Sequence, residues 1–196
     1  MKVAEKRRAV RIDSRVLFAV RQVSDAVFQR IKQDYNDGIS LYNRPEMAEA
    51  RLFVGAGAAL SRLRERDEDM ALVLQHIDAK LNKLLKASDD HHSLMDKLVL
   101  QRVNLAGNGL AFWSGKSYEK GEMLEFHIVL PADSTFIDCF GEVVHCTAEK
   151  VNGSLRQKVS CHLRMITEDD REALIQFNFK QQSLALQRRR MEQEGD

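Results

Sequence analysis

Apolar and polar residues alternate from Val10 to Val23, with Ile12, Val16, Phe18 and Val20 on one side. A period near two predicts an opening strand. At Ser24 the pattern changes. Ser24 or Asp25 can cap a helix carrying Val27, Phe28, Ile31 and Tyr35, and Asp37-Gly38 supplies a residue tolerant of positive φ to end it. Asn43-Arg44-Pro45 restarts the chain, since proline suits a first helical turn, and no proline follows until Pro131. Between Pro45 and about Ala87, Phe53, Ala56, Leu60, Leu63, Met70, Leu74, Ile77, Leu81 and Leu84 recur mostly at steps of three and four, a heptad seam. Asp67 and Ser88 interrupt it, and the charged run Arg62 to Asp69 fits either one long helix or a break between two antiparallel helices. The bare stretch Gly55 to Ala59 either admits another helix closely or is weakly helical. Nothing else in a small domain covers about forty residues of seam, so self-association through Leu60, Leu63, Met70, Leu74, Ile77, Leu81 and Leu84 is expected, as a dimer or a tetramer.

From Lys97 the period returns to two. Leu98, Leu100 and Val103 precede a glycine-rich bend, and Leu110 to Trp113, Met123 to Leu130, Phe136 to Cys146 and Lys158 to Ile166 follow, separated by Ser114-Gly115, Pro131-Ala132-Asp133 and Asn152-Gly153-Ser154. Short strands spaced by turn residues predict a small antiparallel barrel or sandwich, which the early strand joins. Thr167 and Asp170 form a capping-box variant for a last helix with Leu174, Ile175, Phe177, Phe179 and Leu184, running into Arg188-Arg189-Arg190. The fold class is therefore α+β. Residues 1–23 form an arm and first strand, 24–96 a helical oligomerisation insertion, and 97–196 the rest of the barrel and a C-terminal helix.

Composition narrows the function. The chain has 196 residues, 30 Lys and Arg against 29 Asp and Glu, and a formal net charge of +1. Non-specific DNA binding draws on a net excess of cations facing phosphates, so near-balance argues against a DNA partner. Three cysteines without a Cys-x-x-Cys pair give no disulfide framework and fit a reducing cytoplasm. The first residues are charged where a signal peptide needs an apolar run, and Leu52 to Leu60 is too short to span a bilayer. Phosphate-loop, dinucleotide-binding, zinc-protease and nucleophile-elbow motifs are absent, as are paired carboxylates with metal-ligand spacing, so no enzyme is expected. Cys139, His145, Cys146, Cys161 and His162 fall on predicted strands at spacings unlike any zinc knuckle, and His91-His92 sits in a polar stretch. No metal is expected.

Two separated motifs carry more. Lys6-Arg7-Arg8-Ala9-Val10-Arg11 stands before the first strand, with two arginines four apart, and Asn104-Leu105-Ala106-Gly107-Asn108-Gly109 links two later strands. An arginine pair ahead of a barrel strand, joined with an [Asp/Asn]-x-Ser-x-x-Gly turn, resembles the PilZ family of cyclic di-GMP receptors. Gly121 to Pro131, Gly141-Glu142-Val143-Val144 and Asp169-Asp170-Arg171 follow in PilZ order. The resemblance covers roughly residues 5–21 and 97–185. The intervening helical block looks like the insertion of tetrameric PilZ proteins from xanthomonads.

The resemblance implies a PilZ-type barrel whose leader folds over cyclic di-GMP, with Arg7 and Arg11 as the paired arginines, Arg8 a helper, and Asn104, Ala106 and Gly109 in the supporting turn. Arginine suits this ligand because it can fork a phosphate, bond the O6/N7 edge of guanine and stack on a base. Asn104 is expected to bond its own backbone, and Gly109 to approach the ligand or take positive φ. Ala106 stands where the family has serine. Losing one hydrogen bond there weakens affinity by about threefold to a hundredfold. The implied function is a non-catalytic, cytoplasmic effector with cyclic di-GMP as ligand, no further cofactor, and a protein partner that reads the bound state in motility, adhesion or virulence. The alternative is a ligand-independent oligomeric adaptor.

Overall fold

A computed structural model of the chain describes residues 12–47, 59–60, 62–86, 97–131, 135–151 and 153–194. Strands β1 (Ile12–Val23), β2 (Val99–Ala106), β3 (Gly109–Ser114), β4 (Met123–Leu130), β5 (Thr135–Val151) and β6 (Ser154–Ile166) close an antiparallel barrel in the order β1-β2-β3-β6-β5-β4. Alternation does what period two requires: Val16, Phe18, Val103, Leu105, Leu110, Phe112, Leu124, Phe126, Val159 and Cys161 point inward. Phe18, Phe112 and Phe126 meet with ring centroids 5.1–5.9 Å apart at the centre of that core.

The early strand closes the barrel. β1 pairs with β2 from Ile12↔Leu105 to Phe18↔Val99, and with β4 from Leu17↔Val129 to Val23↔Met123. The barrel therefore draws on both sides of the helical insertion. β5 and β6 run further than their apolar runs suggest, pairing as far as Val151↔Ser154 around Gly153, whose φ of 81° suits a residue without a Cβ.

Helix α1 (Asp25–Asn36) starts after Ser24 and ends before Gly38 at φ 85°. Its Phe28 and Ile31 lie with Val23, Leu41, Met123, Phe140 and Met165 in a second apolar cluster outside the barrel wall. Leu41–Asn43 and Pro45–Met47 are 3-10 turns, the second opened by Pro45, and Met47 packs on Val129 and Phe136. β4 is consequently buried on both faces along its whole length.

At Asp67 the seam breaks. Residues 62–66 are helical, Asp67 is not, and its carboxylate accepts the Met70 amide at 3.0 Å to start α2 (Glu68–Lys86). Met70, Val73, Leu74 and Ile77 are exposed on α2, while Leu60 and Leu63 are half-buried. Leu81 and Leu84 fall within α2, but their side chains, like Phe53, Ala56 and Ser88, lie outside the described residues.

The last helix, α3 (Glu168–Glu194), is capped by the Thr167 hydroxyl, which accepts the Asp170 amide at 3.2 Å. Leu174 and Phe177 join the barrel core, and Asn178 Nδ2 donates to the Leu105 carbonyl at 3.1 Å. Ile175, Phe179 and Leu184, which the sequence pattern groups with them, are exposed. None of the described helices is long and apolar enough to cross a membrane.

Candidate functional site on the outer barrel wall

Strand register lines up five outward residues across five strands: Asp13 opposite Asn104, Asn104 opposite Ala111, Ala111 opposite Ser160, and Ser160 opposite His145. One step along, Lys158 stands opposite both Trp113 and Thr147. Ala111 and Ser160 are short, so the middle of the wall is low, whereas Arg102, Trp113, His145, Glu149 and Lys158 raise its margins. The result is a groove of about 770 Å³. Lys158 Nζ lies 5.7 Å from the Trp113 ring centroid and 3.9 Å from Glu149. Asn104 Nδ2 donates to Asp13 Oδ1 at 2.8 Å, rather than bonding its own backbone as expected.

Among the described lining residues, Arg102 and Lys158 balance Asp13 and Glu149. The wall alone is thus neutral. Any surplus of positive charge for a phosphate ligand must come from outside that lining, and its near sources in sequence are the exposed Arg15, opposite Arg102, and the arginine leader. Arg7, Arg8 and Arg11 lie outside the described residues, but the strand they precede begins at Ile12, opposite Leu105, with Asp13 beside Asn104 at the groove.

The other two turn residues sit elsewhere. Ala106 is only 1% exposed and lies opposite Gly109. A Cβ on Gly107 would stand 2.9 Å from Ile175 Cγ1, and Arg171 Nη1 donates to the Gly107 carbonyl at 2.6 Å. Of the two roles expected for Gly109, a close approach to the ligand or a positive φ, the second is not found. A Cβ there would stand 2.6 Å from the Cys161 carbonyl oxygen, so glycine serves the close approach of β3 to β6.

Sequence reasoning missed a second polar cluster, on the outer face of β4 and β5. Arg44 Nη1 donates to Glu125 Oε1 at 2.6 Å, Nη2 to Asp138 Oδ2, and Nε to the Leu41 carbonyl at 2.9 Å. Its guanidinium lies 5.1 Å from the Phe140 ring centroid. Both carboxylates are fully buried. His127 stacks on Phe136, its Nδ1 3.1 Å from Asp138 Oδ1 and its Nε2 3.8 Å from Glu125 Oε2. Burial pushes the Glu125 carboxyl up, but His127, Arg44 and Arg21 outweigh it and hold the group below its ordinary value. Tyr42 donates to Asp170 at 2.7 Å and accepts the Asp138 amide at 3.2 Å. Burial and then the Asp170 carboxylate raise the Tyr42 phenol, so it stays protonated, while burial raises Asp170 despite that bond. Glu125, His127 and Asp138 offer ligand atoms within 4.8 Å of one another. Arg44 already occupies both carboxylates, and a divalent ion there would face its charge at close range. The cluster straps the turns after α1 to the barrel.

The cysteines and histidines weighed for zinc diverge. Cys139 and Cys161 point into the core, while His145 lines the outer groove. Burial, with Cys146 nearby, pushes the Cys161 thiol up to about 12.

Six antiparallel strands, an outward groove on the strand before the turn, and a first strand rooted at its edge invite comparison with known domains. The sequence profile of the PilZ domain matches residues 67–180, more than half of the chain. The chain belongs to the PilZ family. The matched stretch does not include β1, which the structure nonetheless places in the PilZ barrel. Among solved structures, the Bacillus subtilis inhibitor of motility, MotI/DgrA, is 14% identical with a TM-score of 0.46, over 91% of this chain and 52% of that one. A pathogenic protein from Xanthomonas campestris, a tetrameric PilZ domain self-assembled via an unusual helical bundle, is 16% identical with a TM-score of 0.44, over 94% and 91%. The chain spans about half the length of MotI/DgrA. No curated protein matches it. PilZ domains form a family of cyclic di-GMP receptors and adaptors.

Proposed function

We propose that this PilZ protein is a non-catalytic cyclic di-GMP effector of the cytoplasm. Its leader arginines Arg7, Arg8 and Arg11 close over the outer-wall groove, and the bound surface is read by a protein partner. One observation carries the reading: the strand that the leader precedes enters the barrel beside Asn104, at the rim of a groove large enough for a dinucleotide, whose described lining balances two acidic against two basic residues. Two phosphates need cations, and an arginine can supply one while its plane stacks on a base. Calorimetric titration with cyclic di-GMP tests this. The unmutated chain should give saturable heat that Arg11→Ala diminishes at least tenfold in affinity, and equal, undetectable heats for both would refute it.

Copies of the chain associate through α2 in this reading. Met70, Val73, Leu74 and Ile77 form an exposed apolar stripe at helical spacing, larger than isolated surface apolar residues require.

A second reading has its own support. Ala106 stands where the family motif has serine, and that departure favours an adaptor working without nucleotide. Such a protein would keep its cellular role in Arg7→Ala/Arg11→Ala and lose it when the α2 stripe is disrupted.

A further inference from the structure

In a groove that holds phosphates, a carboxylate repels the ligand unless the ligand brings N–H donors to it. Asp13 is such a carboxylate. It lines the groove on the outer face of β1, and Asn104 Nδ2, donating to its Oδ1 at 2.8 Å, fixes its orientation in advance. Glu149, the other acid of the groove, has Lys158 3.9 Å away. The next residue in Asp13's cross-strand row beyond Asn104 is Ala111, whose short side chain leaves space above the wall for a flat ring. An ionised carboxylate is an acceptor only, with about four lone-pair sites, of which Asn104 uses one.

Guanine is the nucleobase whose Watson–Crick edge presents two adjacent donors, N1–H and the 2-amino group, spaced to meet the two oxygens of one carboxylate. Adenine presents an acceptor at N1 and no 2-amino group. We propose that Asp13 is the residue that selects guanine in this groove, accepting N1–H and the 2-amino N–H while Asn104 holds its carboxylate in place. The inference rests on the nucleotide-receptor reading above, and it assigns base choice to a side chain outside both sequence motifs. The leader arginines serve the phosphates and the O6/N7 side or face of the base, whereas Asp13 serves its N1–H and 2-amino edge, so the two contributions separate under mutation.

The test is calorimetric titration of the unmutated chain, Asp13→Ala and Arg11→Ala with cyclic di-GMP, its inosine analogue lacking both 2-amino groups, and cyclic di-AMP. Asp13→Ala should weaken cyclic di-GMP by roughly 10- to 100-fold, the scale of a good bidentate base contact, and collapse the preference for guanine over inosine. Arg11→Ala should weaken all three nucleotides and leave the guanine-to-inosine ratio intact, since both bases keep O6 and N7. If Asp13→Ala leaves the ratios unchanged, or tightens every nucleotide as the removal of a merely repulsive charge would, the assignment of Asp13 is overturned while the receptor reading stands. If the unmutated chain takes up no cyclic di-GMP, both fall. The unfolding curve of Asp13→Ala, expected to overlay that of the unmutated chain because Asp13 is exposed, excludes a folding defect.

Discussion

Removing Arg44 should destabilise the protein more than any other single change outside the barrel core. Its side chain is 12% exposed and engages two carboxylates that are 0% exposed, plus the Leu41 carbonyl. Arg44→Ala leaves Asp138 facing only the His127 imidazole, and Glu125 with that imidazole and the half-exposed Arg21. Breaking a buried ion pair from one side costs about 3–5 kcal/mol, because the remaining charge stays out of water without its partner. A domain has about 5–15 kcal/mol in total. With a urea slope of about 2–3 kcal/mol per molar, the midpoint should fall by roughly 1–2.5 M, measured by tryptophan fluorescence and circular dichroism together. The deficit also has a pH signature. Glu125 has a folded value below its unfolded one near 4.5, so its contribution is present above that value and is lost as pH falls through the depressed one. The gap between Arg44→Ala and the unmutated chain should therefore be widest at neutral pH and narrow on acidification. Replacing all three charges together, as Arg44→Met/Glu125→Gln/Asp138→Asn, should recover much of the loss. An Arg44→Ala unfolding free energy within about 1 kcal/mol of that of the unmutated chain would show that the cluster does not hold the strap to the barrel.

Two more expectations follow from the same physics. Asp170 has a raised folded value, so its proton favours the native state at low pH and that stabilisation is lost as pH rises from the ordinary value near 3.8 through the raised one; Asp170→Asn, which keeps an acceptor for Tyr42, should remove this component from stability-against-pH curves. Leu74→Glu/Ile77→Glu on the exposed α2 stripe should convert a larger species to a monomer by light scattering while the circular dichroism of the barrel stays unchanged, and a monomeric unmutated chain would count against association through α2.

Period-two alternation made most of the barrel legible, because each strand has one face inside and registers follow from which residues are apolar. β4 resisted that reading. Met123, Glu125, His127 and Val129 share its outer face, where Glu125 and His127 are flanked by apolar residues that pack under α1 and the turns after it, so the face is covered and the Glu125 carboxylate needs a buried countercharge. That charge arrives from Arg44, 81 residues earlier than Glu125, in a segment whose proline read as the start of a helix. No local pattern encodes such a pairing. The groove was half legible: Asn104 came from its motif, whereas Asp13, Arg102, Trp113, His145 and Lys158 are joined by cross-strand register alone. For Gly109 the residue type was informative but its cause was not, since the constraint is a neighbouring backbone oxygen.

The placement of β1 has a bearing on biosynthesis. Val23 finds its partner in Met123, so the first strand leaves the ribosome long before half of its hydrogen-bonding partners exist. At about 5–20 residues per second, a hundred-residue delay amounts to roughly 5–20 s during which Phe18 and its apolar neighbours have no barrel to enter. Folding of the nascent chain must end with this strand being recaptured from a distance, and whatever shields it meanwhile, whether α1 or a chaperone, governs how much newly made protein escapes aggregation.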